Sequence, residues 1–303
     1  MSKRSPRRAR TPPRQGRSTR WVATVLGLAL LGLGAWLLTA DNSPLRASST
    51  ASNTTLASYR PADLHALVVS PTDANTVTFG HHYGMLVSHD GGATWTPLSG
   101  AGGKDAMGVA IPPNSKTAFA AGHDVFMRSD DGGQTWTSVR PALPGTDIHG
   151  FAASATQPNT FFAYVVGFGL FKSSDNGSSW AQVAQPPGST MSMAAAKSSV
   201  GDVLFASTME GLAQSRDGGR SWEPVRDVPN GYVSAVGATV YVADRGTVMV
   251  STDGGLTWQR RSFPRNAGLI AIAPSNPAVV YVVTDQREVW RSSNSGATWE
   301  HVG

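Results

Sequence analysis

The hydrophobic pattern of this 303-residue chain changes character twice. Residues 1–20 hold no apolar run. Residues 21–40, WVATVLGLALLGLGAWLLTA, carry no charged side chain, and twenty residues rising about 1.5 Å each make a helix about 30 Å long, the thickness of a bilayer core. From residue 60 to the end, apolar positions come in short runs rich in Val, Ile, Phe and Tyr, bounded by Gly, Pro, Asn and Asp. That is the pattern of short strands joined by tight turns. The chain therefore reads as a basic tail (1–20), a transmembrane anchor or signal segment (21–40), a Ser/Thr-rich linker (41–59) and an all-β domain (60–303). The apolar run exceeds a signal-peptide core of about 7–15 residues, and its nearest small-x-small site, Leu38-Thr39-Ala40, begins on leucine. An uncleaved anchor is thus the favoured reading, with a secreted protein the result if the segment is cleaved.

Within 60–303 one eight-residue segment recurs six times without gaps: SHDGGATW (88–95), SDDGGQTW (129–136), SSDNGSSW (173–180), SRDGGRSW (215–222), STDGGLTW (251–258) and SSNSGATW (292–299). Its third residues, Asp90, Asp131, Asp175, Asp217, Asp253 and Asn294, are spaced by 41, 44, 42, 36 and 41 positions, the period of a four-stranded propeller blade. A carboxylate there can accept from the N–H groups of its own turn, the following glycine permits positive φ, and the tryptophan can cover the turn. These residues are read as structural staples, with Asn294 keeping the acceptor oxygen. The pattern resembles the Asp-box, or BNR, repeat of sialidase-like, sortilin-like and photosystem-assembly-factor-like β-propellers. The resemblance implies a β-propeller; the six copies and the short strand runs around them fit six four-stranded blades, and the apolar run at 21–40 puts one N-terminal transmembrane helix before them. Ring closure is left open, with a short strand at 53–59 pairing to the last blade as one route.

Charge then changes the picture. The net charge of +5 suggests nucleic-acid binding, but eight of the 25 basic residues lie in the first twenty positions with no acidic partner, so residues 21–303 carry 17 basic against 20 acidic side chains. Nucleic acid is therefore not expected as a partner. An arginine-rich flank before an apolar span stays in the cytoplasm, which places the propeller in the periplasm or at the cell surface, tethered to the membrane through residues 21–40. The absence of cysteine excludes disulfides, thiolate-bound zinc and thiol nucleophiles.

Alternating strand direction sends every Asp box to one face, together with the turns between first and second strands. The segments entering each first strand and the turns between second and third strands emerge opposite. Function is sought on that second face, where the resemblance also implies that relatives bind. Entering the first strands stand His65, Met107, His149 and Met193, preceded at two residues by Asp63, Asp105, Asp147 and Met191. In the second-to-third turns stand His82, His123, Met209 and Arg245, with Tyr83 beside the first. His65, Met107, His149 and Met193 are metal-ligand candidates, thioether with imidazole suiting copper and carboxylate with imidazole suiting zinc. Methionine as gap filler and histidine bonded to a neighbouring aspartate is the competing reading, and no cofactor is expected on it.

Sialidases of the family imply three arginines, a Tyr/Glu pair, an acidic residue and an F/Y-R-I-P type segment, and no such segment occurs here. Asp63, Asp147 and Glu210 are the carboxylates available to a hydrolase. The preferred reading is a non-catalytic binding or assembly module for a protein, peptide or glycan. The alternatives are a sialidase-like glycoside hydrolase on the same face, and copper or zinc binding at the channel mouth.

Overall fold

The computed structural model describes residues 54–303 except 62, 113, 114, 186 and 187. The expected basic tail, the span at 21–40 and the linker as far as residue 53 lie outside the described residues. No helix among the described residues is long and apolar enough to cross a membrane.

Among the described residues twenty-four strands form six four-stranded sheets, each antiparallel and each in chain order, so the six-bladed propeller expected from the repeat is the observed fold. The innermost strands are Ala66–Val69, Ala106–Ala110, Ile148–Ala153, Ser192–Ser198, Tyr232–Val236 and Ala267–Ile272. Second strands such as Val77–His81 and Val280–Thr284 are buried throughout, because neighbouring blades cover both faces, which is why their sequences read as continuous apolar runs. Fourth strands are short and exposed, as in Thr96–Pro97 and Glu300–His301.

Each box lies between the third and fourth strands. In blade 2, Ser129 Oγ donates to Asp131 Oδ1 at 2.7 Å, Thr135 N donates to the same oxygen at 2.9 Å, and Thr135 Oγ1 donates to Asp131 Oδ2 at 2.6 Å. Gly133 N donates to Ser129 Oγ, and Trp136 Nε1 closes the turn by donating to Gly133 O at 3.0 Å. In blade 6 Asn294 Oδ1 accepts from Ser292 Oγ and Thr298 N, while its amide Nδ2 donates to Thr298 Oγ1 at 2.8 Å, reversing one bond and keeping the turn.

The boxes also join the blades. A Cβ on Gly177 of blade 3 would stand 2.9 Å from Phe119 Cζ of blade 2, and one on Gly92 of blade 1 would stand 2.7 Å from Val289 Cγ1 of blade 6. Among the described residues the last blade consists of its own four strands only, so residues 54–59 do not add the closing strand considered at 53–59. Leu56–Tyr59 forms a 3-10 turn instead, too short and without the alternation a strand needs. Its Leu56 is buried in one core cluster with Val69, Phe79 and Trp95 of blade 1 and Leu269 and Tyr281 of blade 6. Side-chain packing closes the ring, helped by Tyr281 Oη donating to Ala74 O at 2.9 Å.

Candidate functional site

On the face opposite the boxes, three blades deliver histidines and aspartates to one place. Asp63 and His65 lead into the first strand of blade 1, and His82 occupies its second-to-third turn. Blade 2 supplies Asp105 and His123 from the corresponding positions, and blade 3 supplies Asp147 and His149. An antiparallel bridge between His123 and Asp147 ties blade 2 to blade 3 at this point.

Local backbone irregularity aims one of these side chains, His149. The pairing of first and second strands skips a residue in blades 2, 3 and 6, between Ala106 and Gly108, Ile148 and Gly150, and Ala267 and Leu269. The extra residues are Met107, His149 and Gly268, the aligned position that carries His65 in blade 1. A bulge at the rim turns a side chain off the regular alternation of its strand. The small residues around it are needed: a Cβ on Gly150 would meet the Met193 side chain at 2.7 Å.

His123 is the best anchored ring. Its Nδ1 donates to Asp105 Oδ2 at 2.7 Å, so in the neutral ring Nε2 carries the lone pair. That nitrogen lies 2.9 Å from His149 Nε2 and 3.5 Å from Asp147 Oδ1, and His149 Nε2 lies 3.1 Å from the same oxygen. In blade 1, Asp63 Oδ2 lies 2.6 Å from His82 Nδ1 and 3.3 Å from His65 Nε2, while Asp63 Oδ1 accepts from His82 N at 3.0 Å. His65 Nδ1 and Asp105 Oδ1 are 2.7 Å apart, a close ion-pair distance off the direction of the ring N–H, which leaves both buried atoms without an aligned hydrogen bond. Asp147 Oδ1 is likewise buried with no donor directed at it. Burial holds the His65 and His81 pKa values below the ordinary imidazole range, against the pull of Asp63 and Asp105. The donor atoms of Asp63, His65 and His82 lie within 4.8 Å of one another, as do those of His123, Asp147 and His149.

The remaining residues singled out in the sequence are placed as follows. His65, Met107, His149 and Met193 line one pocket at the channel mouth, with Tyr232 beside them. Met107 and Met193 are buried, Met193 in an apolar cluster with Ala152, Phe162 and Leu204. Tyr83 and Met209 stand out from the rim, 69% and 74% exposed. Arg245 lies 3.9 Å from Asp244 on an exposed turn. Glu210 is exposed, its N–H donating to Thr208 Oγ1, and belongs to neither histidine group. Asp105 was visible in the sequence only as the middle member of the D-x-H, D-x-M, D-x-H series. Nothing in that series reveals that it faces two blades at once. Phe168 and Met191 are further exposed apolar residues on this rim.

The family profile described as Photosynthesis system II assembly factor YCF48 matches residues 63–302. The chain belongs to the YCF48 family. No curated protein sequence matches it. Among solved structures this YCF48-family propeller is similar to a GH74 xyloglucanase from Xanthomonas campestris, at 19% identity and TM-score 0.54 over 78% of this chain and 45% of that one. It thus spans under half the xyloglucanase. A chain of the nidogen/laminin complex gives TM-score 0.59 at 9% identity, covering 74% of this chain and 91% of that one. YCF48 bound to D1 peptide gives 18% identity and TM-score 0.48, covering 78% and 81%. At these identities the likenesses to the xyloglucanase and to the nidogen/laminin chain speak to fold alone.

Proposed function

We propose that this YCF48-family chain is a membrane-tethered, extracytoplasmic binding or assembly module without turnover, and that its open face holds a peptide segment of a protein partner. The observation that carries the reading is the distribution of exposed apolar side chains. Tyr83, Phe168, Met191 and Met209, 39–74% exposed, all lie on the rim of the face opposite the boxes. They flank the polar histidine–aspartate centre. Apolar and aromatic anchors around a small polar focus suit a protein surface, where truncating a few anchors removes most of the affinity. Membership of a family described as an assembly factor supports the same reading. The tether and its orientation follow from the uncharged segment 21–40 behind an arginine-rich flank.

The chain has no cysteine, so single cysteines can carry a membrane-impermeant crosslinker in intact cells without background. Tyr83→Cys, Phe168→Cys and Met209→Cys are expected to react from outside the cytoplasm and to trap a discrete membrane-fraction protein. Val200→Cys and Leu256→Cys, on the box side, should react without trapping it. Equal trapping from both faces would defeat the open-face assignment, and no labelling from outside would defeat the orientation. A glycan-hydrolysis panel is run beside it. Turnover lost in Asp63→Asn, Asp147→Asn or Glu210→Gln would replace the non-catalytic reading with a hydrolase.

A further inference from the structure

We propose that the open face carries a two-lobed centre for divalent zinc-type cations, with His123, Asp147 and His149 as one lobe, Asp63, His65 and His82 as the other, and Asp105 between them.

Donors bound tetrahedrally to zinc at about 2.0–2.1 Å stand about 3.3 Å from one another. The three contacts among His123 Nε2, His149 Nε2 and Asp147 Oδ1 are 2.9, 3.1 and 3.5 Å. Those in the blade 1 lobe from Asp63 Oδ2 are 2.6 and 3.3 Å. Each lobe supplies three donors, which leaves a position for water or a partner's donor, the arrangement of an open rather than a closed zinc site.

Because His123 gives its Nδ1 proton to Asp105, its Nε2 turns a lone pair toward His149 and Asp147. His149 Nε2 can place one proton between itself and His123, and Asp147 Oδ1 is then a buried carboxylate oxygen with no donor directed at it among the described residues. Asp105 Oδ1 stands in the same position between the lobes. Buried carboxylate oxygens in folded proteins are almost always satisfied. A cation held by His123, Asp147 and His149 gives Asp147 Oδ1 the partner it lacks.

Metal-bound imidazoles characteristically present their second nitrogen to a carboxylate, which fixes the ring. Asp105 Oδ2 accepts from the Nδ1 of His123 at 2.7 Å, and its other oxygen lies 2.7 Å from the Nδ1 of His65, so it is hydrogen-bonded to one ring of the first lobe and in close electrostatic contact with one of the second. Two imidazoles per carboxylate favour zinc and its neighbours over magnesium or calcium, which take oxygen donors.

The test uses the full chain in detergent, stripped with a chelator and titrated with Zn²⁺ against a chromophoric competitor. Two ions per chain are expected, falling to one in His149→Ala and one in His65→Ala, and to none in the double variant. Asp105→Asn keeps all six ligands and should weaken both sites about 10–100-fold, the loss usual when an outer-shell carboxylate is removed. Circular dichroism establishes that each variant is folded. In addition, Zn²⁺ should raise the wild-type Tm and leave that of the folded double variant unmoved. Fewer than two ions in the wild type, or two ions retained in either single variant, overturns the proposal. Partner trapping through Tyr83 and Met209 is measured separately and stands or falls independently.

Discussion

At the scale of single residues, the box aspartates show how much one acceptor can organise. The Thr135 hydroxyl bound to Asp131 holds its carboxyl at about 2, with backbone N–H groups adding to the effect and burial opposing it; Ser179 does the same for Asp175, also at about 2. A carboxyl whose pKa is lower in the fold than in the unfolded chain stabilises the fold fully above about pH 4, and that contribution is lost as pH falls toward 2. Asn294 shows that a neutral amide can fill the same place by reversing one hydrogen bond. Asp131→Ala is therefore expected to destabilise by about 1–2 kcal/mol at pH 7, the usual loss for a side chain capping several backbone donors, and Asp131→Asn by less than half of that. Thermal melts at pH 7 and pH 3 check both, and the gap between wild type and Asp131→Asn should narrow at pH 3. This chemistry was legible in the sequence because it is local: all the partners lie within four residues. Asp105 is the opposite case. Its residue type and register could be aligned, yet its imidazole neighbours are His123 of its own blade and His65 and His82 of the preceding one, and the sequence does not show that they converge.

At the scale of elements, the bulges and the box glycines decide what the repeat alone leaves open. Strict alternation along the first strand puts Asp147 and His149 on one side, and it is the register shift at His149 that brings this ring to His123 of the neighbouring blade. A bulge has no reliable signature in one sequence, which is why the strands could be read and this juxtaposition could not. Gly132 and Gly177 separate two costs. Both have φ +79°, but a Cβ on Gly132 would meet nothing within 4 Å, whereas one on Gly177 would press on the buried Phe119 ring at 2.9 Å. Gly132→Ala is expected to cost about 1–2 kcal/mol, the left-handed backbone alone. Gly177→Ala should cost about 1–3 kcal/mol more, because the packed ring has nowhere to move. Denaturant unfolding measures the difference. Equal losses would mean that the box turn does not act as a wedge between blades.

At the scale of the whole molecule, blade number and the separation of two faces followed from the spacing and order of the repeats, since both are properties of the chain's own periodicity. The ring of exposed apolar side chains did not. Tyr83, Phe168, Met191 and Met209 are far apart in sequence, and only closing the ring brings them to one rim. Closure itself was the other gap. The seam has the same kind of contact as the joints inside the ring, with Gly92 seated on Val289 as Gly177 is on Phe119. Thr54 O accepts from Trp95 N, and Gly303 O accepts from Val289 N, so the first and last described residues both lie at that seam. The order in which the blades are encoded is therefore not needed to hold them together. A gene rewritten to join residue 303 to residue 54 through a short Gly/Ser bridge, and opened instead at the exposed loop near Gly188, should fold to the same ring. Its cooperative unfolding is expected to match the parent's, and the histidines and aspartates of blades 1–3 would meet as before although the chain now reads them last.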